Sequence, residues 1–142
     1  MNIAIAADHA GYQLKEELKD YLQSKNHQVE DVGAFSDESV DYPDFAKAAA
    51  MLVADGKADK AILVCGSGIG MAMAANKIKS IRAANCQSVE CAVLSRKHND
   101  ANVLCLGSRL IDFSQAKKLV SVWLKEPFEG GRHLRRVEKI DG

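Results

Sequence analysis

Five short apolar runs recur along the chain: NIAIAAD (2–8), QVEDVG (28–33), KAILVCG (60–66), IRAANC (81–86) and NVLCLGS (102–108), most of them bounded by Gly, Asp or Asn. Segments of helical period separate them. In YQLKEELKDYLQSK, Leu14, Leu18, Tyr21 and Leu22 share one face; DFAKAAAMLVADGK is a second amphipathic stretch that Pro43 starts and Gly56 stops; QAKKLVSVWLKE is another. Strands alternating with helices of this kind build a mostly parallel sheet with helices on both faces. Ligands of such sheets sit in the crevice at the carboxyl ends of the strands. That rule directs the search to Asp8 and His9, Gly33, Cys65 to Gly70, Cys86 and Gln87, and Gly107 to Arg109.

The 142 residues, 47% of them hydrophobic, suit one domain over 1–142 whose core needs no covalent staples. Nineteen basic and nineteen acidic residues give a formal net charge of zero. This speaks against a nucleic-acid or membrane-surface partner and for a small molecule. No apolar run approaches the ~20 residues that span a bilayer, and MNIAIAADHAG lacks the basic and long apolar regions of a signal peptide, so a cytoplasmic location is expected. Cys65, Cys86, Cys91 and Cys105 show neither CxxC pairing nor the spacing of a structural zinc site; they are expected as free thiols, three of them in the core, with no metal. The stretch AFSDESVDY (34–42) is the most polar loop, and GGRHLRRVEKIDG is expected as a basic tail after the last full helix.

VCGSGIGMAMAANK (64–77) places a thiol directly before three alternating glycines. A dinucleotide fingerprint counted from Gly66 needs glycine at Met71, and counted from Gly68 it needs glycine at Met73. No Gly-Lys-Ser/Thr follows for a Walker loop, and a phosphatase loop of the Cys-x5-Arg kind would need arginine at Met71. Two readings remain. One is a plain tight turn; the other is a loop whose backbone N–H groups converge on an anionic oxygen.

The other strand ends carry similar pairs of readings. Asp8 and His9 are either a helix cap with a surface residue or part of a site. RKHND (96–100) sets His98, Asn99 and Asp100 just before a strand, as a polar turn or as functional groups. Arg132 and Arg136, four residues apart, share a helix face and could fork onto a phosphate, or could simply face water.

Taken in order, AADHAG, SVDYP, VCGSGIGMAMAANK, SRKHNDANVLCLGSR and EGGRHLRRV, spread over residues 6–137, strongly resemble the B type of ribose-5-phosphate isomerase, a family that also includes galactose-6-phosphate and allose-6-phosphate isomerases. The resemblance covers nearly the whole chain. It implies a three-layer α/β/α Rossmann-like sandwich with a five-stranded parallel sheet, no metal or organic cofactor, and a homodimer or tetramer whose active site takes residues from two subunits. It also implies the interconversion of D-ribose 5-phosphate and D-ribulose 5-phosphate in the non-oxidative pentose phosphate pathway, with a six-carbon 6-phosphate sugar as the alternative substrate.

Moving a proton between C1 and C2 through a cis-enediolate requires a carbon base, a stabiliser for oxygen charge and a carrier for the hydroxyl proton, after the furanose ring has opened. By the resemblance, Cys65 is the carbon base, His98 the ring-opening acid/base, and Asp8 the group that shuttles or orients hydroxyl protons. The amides of Gly66, Ser67, Gly68, Ile69 and Gly70, with the Ser67 hydroxyl, form the charge-stabilising loop. His9, Arg109, Arg132 and Arg136 bind the phosphate, and Tyr42 and Asn99 position the sugar. A thiol titrates near ~8.5, so a basic Cys65 needs its thiolate favoured by N–H groups. Part of the family uses a glutamate after the last glycine instead. Met71 stands there, which places this chain in the cysteine-dependent branch. Cys86, Cys91 and Cys105 keep a structural reading.

Overall fold

The computed structural model describes every residue from Met1 to Gly142. The five apolar runs become β1 (Asn2–Ala7), β2 (Gln28–Gly33), β3 (Lys60–Cys65), β4 (Ala83–Asn85) and β5 (Val103–Gly107). They form one sheet in the order β2-β1-β3-β5-β4, with every neighbouring pair parallel. The helices are α1 (Tyr12–Ser24), α2 (Tyr42–Ala54), α3 (Ile69–Ala75), α4 (Val89–Asn99), α5 (Phe113–Lys125) and α6 (Arg132–Asp141). No helix is long and apolar enough to cross a membrane.

Alternation along the strands divides the core into two layers. Ile3, Ile5, Ile62, Val64, Leu104 and Leu106 face the layer containing Leu14, Leu18 and Leu22 of α1, Ala92 of α4, and Leu119, Val120 and Trp123 of α5. Ala4, Ala6, Ala61, Leu63, Cys65, Val103 and Cys105 face the layer containing Ala46, Ala49 and Ala50 of α2 and Met71 and Ala75 of α3. This is the expected three-layer sandwich. The second layer is built mostly from alanine, so α2 and α3 lie against the sheet through small side chains, and Cys65 is on that side.

The order of the strands locates the crevice. From β1 the chain moves to β2 on one flank, whereas β3, β5 and β4 lie on the other. The reversal falls between β1 and β3, the point where doubly wound sheets open to ligands. Ala7 is paired with Val64 and the Asp8 N–H donates to the Val64 carbonyl at 3.2 Å, so Asp8 and Cys65 emerge side by side at that point.

Several boundaries differ from expectation for identifiable reasons. Helix α2 begins at Tyr42, two residues early, because Pro43 is tolerated in the first turn, and left-handed Gly56 (φ +74°) follows its end. Helix α5 begins at Phe113 because Asp112 and Gln115 form a reciprocal capping box. His98 and Asn99 do not lie in a turn: they are the last two residues of α4, and Asp100 (φ +47°) ends that helix. The expected basic tail is a ten-residue helix, α6, against which α4 packs. Its His133 and Val137 are buried while Arg132, Arg135 and Arg136 face water.

Candidate active site

At the carboxyl edge of the sheet a cavity of about 500 Å³ is lined by Asp8, Tyr42, Cys65, Gly66, Ser67, Ile69, Gly70, Met73, Arg109 and Leu110. Cys65 is the last residue of β3 and is 5% exposed. The Gly68 N–H donates to its sulfur at 3.1 Å, an interaction that favours negative charge on the sulfur. Gly68 makes this bond because it adopts a left-handed conformation (φ +80°) at the start of α3, a conformation costly for any side chain with a Cβ. The next amide, Ile69 N–H, donates to the Ser67 Oγ at 3.2 Å. Two amides of the loop thus donate within it, to the thiol and to the serine hydroxyl.

Asp8 is not the cap of α1, whose N-cap is Gly11 with no side-chain bond. One carboxylate oxygen accepts from the Gly11 N–H at 3.0 Å ahead of α1, while the residue is 6% exposed and lines the cavity beside Cys65. Tyr42 reaches the loop from α2: a Cβ added at Gly70 would collide with the Tyr42 ring, so glycine makes room for it. Arg109 is held from the other side, its N–H donating to the Gly66 carbonyl at 3.1 Å and its guanidinium lying 3.0 Å from where a Gly66 Cβ would stand. His9 follows Asp8; its Nδ1 accepts from the Val40 N–H at 3.2 Å, which leaves the ring proton on Nε2 as a donor.

Residues that sequence reading did not assign to the site support it. The Gln87 side chain donates to the Ser67 carbonyl at 3.1 Å and to Asn85 Oδ1 at 2.7 Å, and its own oxygen accepts from the Gly107 N–H at 3.1 Å. It is a strut between the glycine loop and β5; only its place after a strand signalled it. Lys15, fully buried, donates to both oxygens of Asp31 at 2.8 and 2.9 Å and to the Ala34 carbonyl at 2.6 Å. Burial alone would push the Asp31 carboxyl up, but the bonds from Lys15, Lys19 and the Gly33 N–H outweigh it and hold Asp31 below the usual carboxylate range. This ion pair anchors the start of the 34–41 loop, whose Val40 orients His9. Met73, Ile69 and Leu110 form an exposed apolar rim. Met71, by contrast, is fully buried against the sheet, away from the cavity lining.

The remaining expected residues are elsewhere. Helix α4 leaves the carboxyl edge after β4 and runs back about 16 Å, eleven residues at 1.5 Å each, so His98 and Asn99 sit at the opposite edge. There the His98 and His133 rings stack, centroids 4.3 Å apart and 13° from parallel. Loss of solvent, then the neighbouring His98 and Arg132, hold His133 below the usual imidazole range. The Glu129 N–H donates to the Lys97 carbonyl at 3.2 Å and the Arg96 Nε to the Glu126 carbonyl at 3.0 Å, which joins α4 to the chain leading into α6. Arg132 and Arg136 lie on that helix. His98, Glu129 and His133 bring donor atoms within 4.8 Å of one another, but near-parallel stacked rings aim their lone pairs along parallel lines rather than at one ion. Asn99 borders a separate cavity of about 550 Å³ with Arg82, Ile140 and Asp141. Three cysteines are in the core as expected, Cys65, Cys86 and Cys105; Cys91, in the first turn of α4, is exposed.

A thiol, a buried carboxylate and backbone donors at the switch point of a doubly wound sheet are groups with which proton transfer can be carried out. The chain belongs to the ribose/galactose isomerase family, whose profile matches residues 3–140. It is 46% identical over 138 residues to ribose-5-phosphate isomerase B of Escherichia coli, covering 97% of this chain and 93% of that one. It is similar to the crystal structure of a ribose 5-phosphate isomerase from Thermotoga maritima (51% identity, TM-score 0.97, 99% of this chain and 97% of that one). It is also similar to ribose-5-phosphate isomerase B from Mycoplasma genitalium with bound ribulose-5-phosphate (46% identity, TM-score 0.94, 99% and 93%).

Proposed function

We propose that this protein interconverts D-ribose 5-phosphate and D-ribulose 5-phosphate, the aldose–ketose step of the non-oxidative pentose phosphate pathway, with two copies of the chain completing each site. The observation that carries the reading is Cys65 beside Asp8 at the switch point with the Gly68 N–H on its sulfur, in a chain similar over nearly its full length to ribose-5-phosphate isomerases B. After the ring opens, the Cys65 thiolate removes the C2 proton of the aldose. The electron pair becomes a cis-enediolate, and the proton returns to C1. Asp8 carries the hydroxyl proton from O2 to O1, and the loop from Gly66 to Gly70 with the Ser67 hydroxyl stabilises the oxygen charge.

His98 acts as the ring-opening acid/base and Asn99 as a sugar contact from the second copy; Arg132 and Arg136 of that copy join His9 and Arg109 on the phosphate. Support for this comes from the placement of the two groups at opposite edges of one sheet, where a single chain cannot use both, and from the exposed apolar rim of Ile69, Met73 and Leu110 beside the thiol. The family embraces ribose and galactose isomerases, so a six-carbon 6-phosphate is the second reading. Initial rates on ribose 5-phosphate, allose 6-phosphate and galactose 6-phosphate decide between them: a kcat/KM highest on ribose 5-phosphate is expected, and a higher value on either six-carbon sugar overturns the pentose assignment.

A further inference from the structure

Two of the other thiols are in contact with each other. Cys86 follows β4 and is fully buried; Cys91 is in the first turn of α4 and is exposed. Their sulfurs are 3.1 Å apart, about 1 Å more than the ~2.05 Å of a disulfide bond. The competing contact of Cys91 is weak, the Asn85 carbonyl at 3.9 Å. Cys91 also borders a groove of about 390 Å³ with Ser88, Glu90 and Leu94, through which a small reagent can reach it. Contacting thiols with one open sulfur are the arrangement that exchanges with other disulfides, whereas inert structural cysteines are enclosed on all sides.

We propose that Cys86 and Cys91 form an oxidisable dithiol site, distinct from Cys65, which a small-molecule disulfide closes into an intramolecular bond. The Cys91 thiolate attacks one sulfur of the reagent, breaking its S–S bond and releasing the first thiolate. Cys86 then loses its proton to that base, attacks the Cys91 sulfur and expels the second thiolate, which takes up from solvent the proton Cys91 had given it. Two protein thiols are oxidised and one disulfide is reduced to two thiols. Burial, then the neighbouring Cys91, pushes the Cys86 thiol up to about 12, so the outer sulfur attacks and the inner one resolves. The closed segment contains Gln87, the strut under the Ser67 carbonyl, and Ser88, whose Oγ accepts from the Cys91 N–H at 3.1 Å to cap α4. A bond there ties β4 to the first turn of α4 around that strut.

The test is chemical and independent of turnover, so it stands or falls apart from the isomerase reading. The reduced protein is equilibrated with oxidised glutathione, quenched in acid, alkylated and examined by intact mass and peptide mapping. The expected product is a Cys86–Cys91 link that has lost two hydrogens and is reversed by dithiothreitol, with any glutathione on Cys65 remaining a mixed disulfide. Cys91→Ser, at an exposed position, abolishes the link. Cys86→Ala leaves glutathione trapped on Cys91. Recovery of both thiols unmodified, a stable glutathione adduct on Cys91 in the wild-type protein, or a link from Cys91 to any other cysteine overturns the proposal.

Discussion

The two edges of the sheet are built differently. At the carboxyl edge, Asp8, Cys65 and the glycine loop continue directly from paired strands and are fixed by backbone hydrogen bonds, with Gln87 and Arg109 bracing the loop from outside. At the amino edge, His98, Asn99, Arg132 and Arg136 are carried on helices, and the arginines face solvent. Groups that must share a proton with a carbon need sub-ångström placement, which strand ends provide. Groups that grip a phosphate tolerate longer, mobile side chains. In the proposed reading the carboxyl edge supplies the carbon base, and the amino edge of a second copy supplies the ring-opening group and two of the phosphate contacts.

The strongest attempt to break that division of labour uses two variants. Cys65→Ala and His98→Asn should each lower kcat about 10²–10⁴-fold, with Cys65→Ala retaining substrate binding. Because each lesion lies at a different edge, mixing the two proteins after subunit exchange should restore about one quarter of wild-type activity, half the dimers being mixed and one of their two sites intact. No recovery would place both groups in one chain's site.

Next in size is the ion pair under the carboxyl edge. Asp31→Asn leaves buried Lys15 with only the more distant Glu16, at 3.8 Å, as a charge partner and should cost about 3 kcal/mol, read as a fall in Tm. The native Asp31 carboxyl is held below its ordinary value of 3.8. Its contribution is therefore complete above that value and is lost as pH falls through the lower native one. The wild-type Tm should drop steeply on acidification below about pH 4, with a shallower drop in Asp31→Asn; parallel curves would remove this pair as the cause.

Arg136→Ala probes the proposed phosphate contact at the amino edge. It should raise KM for the phosphorylated sugar about tenfold or more while leaving any small activity on free sugar unchanged. Equal losses on both substrates would assign Arg136 to folding or assembly. The smallest effect is expected at Gln87. Gln87→Leu removes two donors and one acceptor bond from the loop's support, and a loss of about 1 kcal/mol should appear as a several-fold lower kcat with KM nearly unchanged. A change confined to KM would mean that the strut does not position the loop.

Much of this site was legible in the chain because its chemistry is local in sequence. Thiol and donor lie three residues apart, and the glycine pattern that allows Gly68 its left-handed turn is written between them. Asp8 was legible as the end of a strand, but not that its carboxylate would accept from the Gly11 N–H and line the cavity while Gly11 itself is the N-cap of α1. Gln87 was legible only as a residue following a strand and Lys15 not at all, since their partners are 20 and 16 residues away and nothing local predicts a long-range hydrogen bond. Which of the four cysteines stays outside the core was not legible, because helix α4 has almost no amphipathic signal to say which face turns outward.

By itself, the sequence determined the alternation of strands and helices, the thiol-glycine turn and the absence of an acid at Met71, because periodicity and steric limits act between neighbouring residues. Tertiary structure alone decided that β1 and β3 adjoin, so that Asp8 meets Cys65, and that α4 carries His98 to the far edge. Those outcomes depend on strand order and helix packing, which are set by the fit of whole faces rather than by any short stretch.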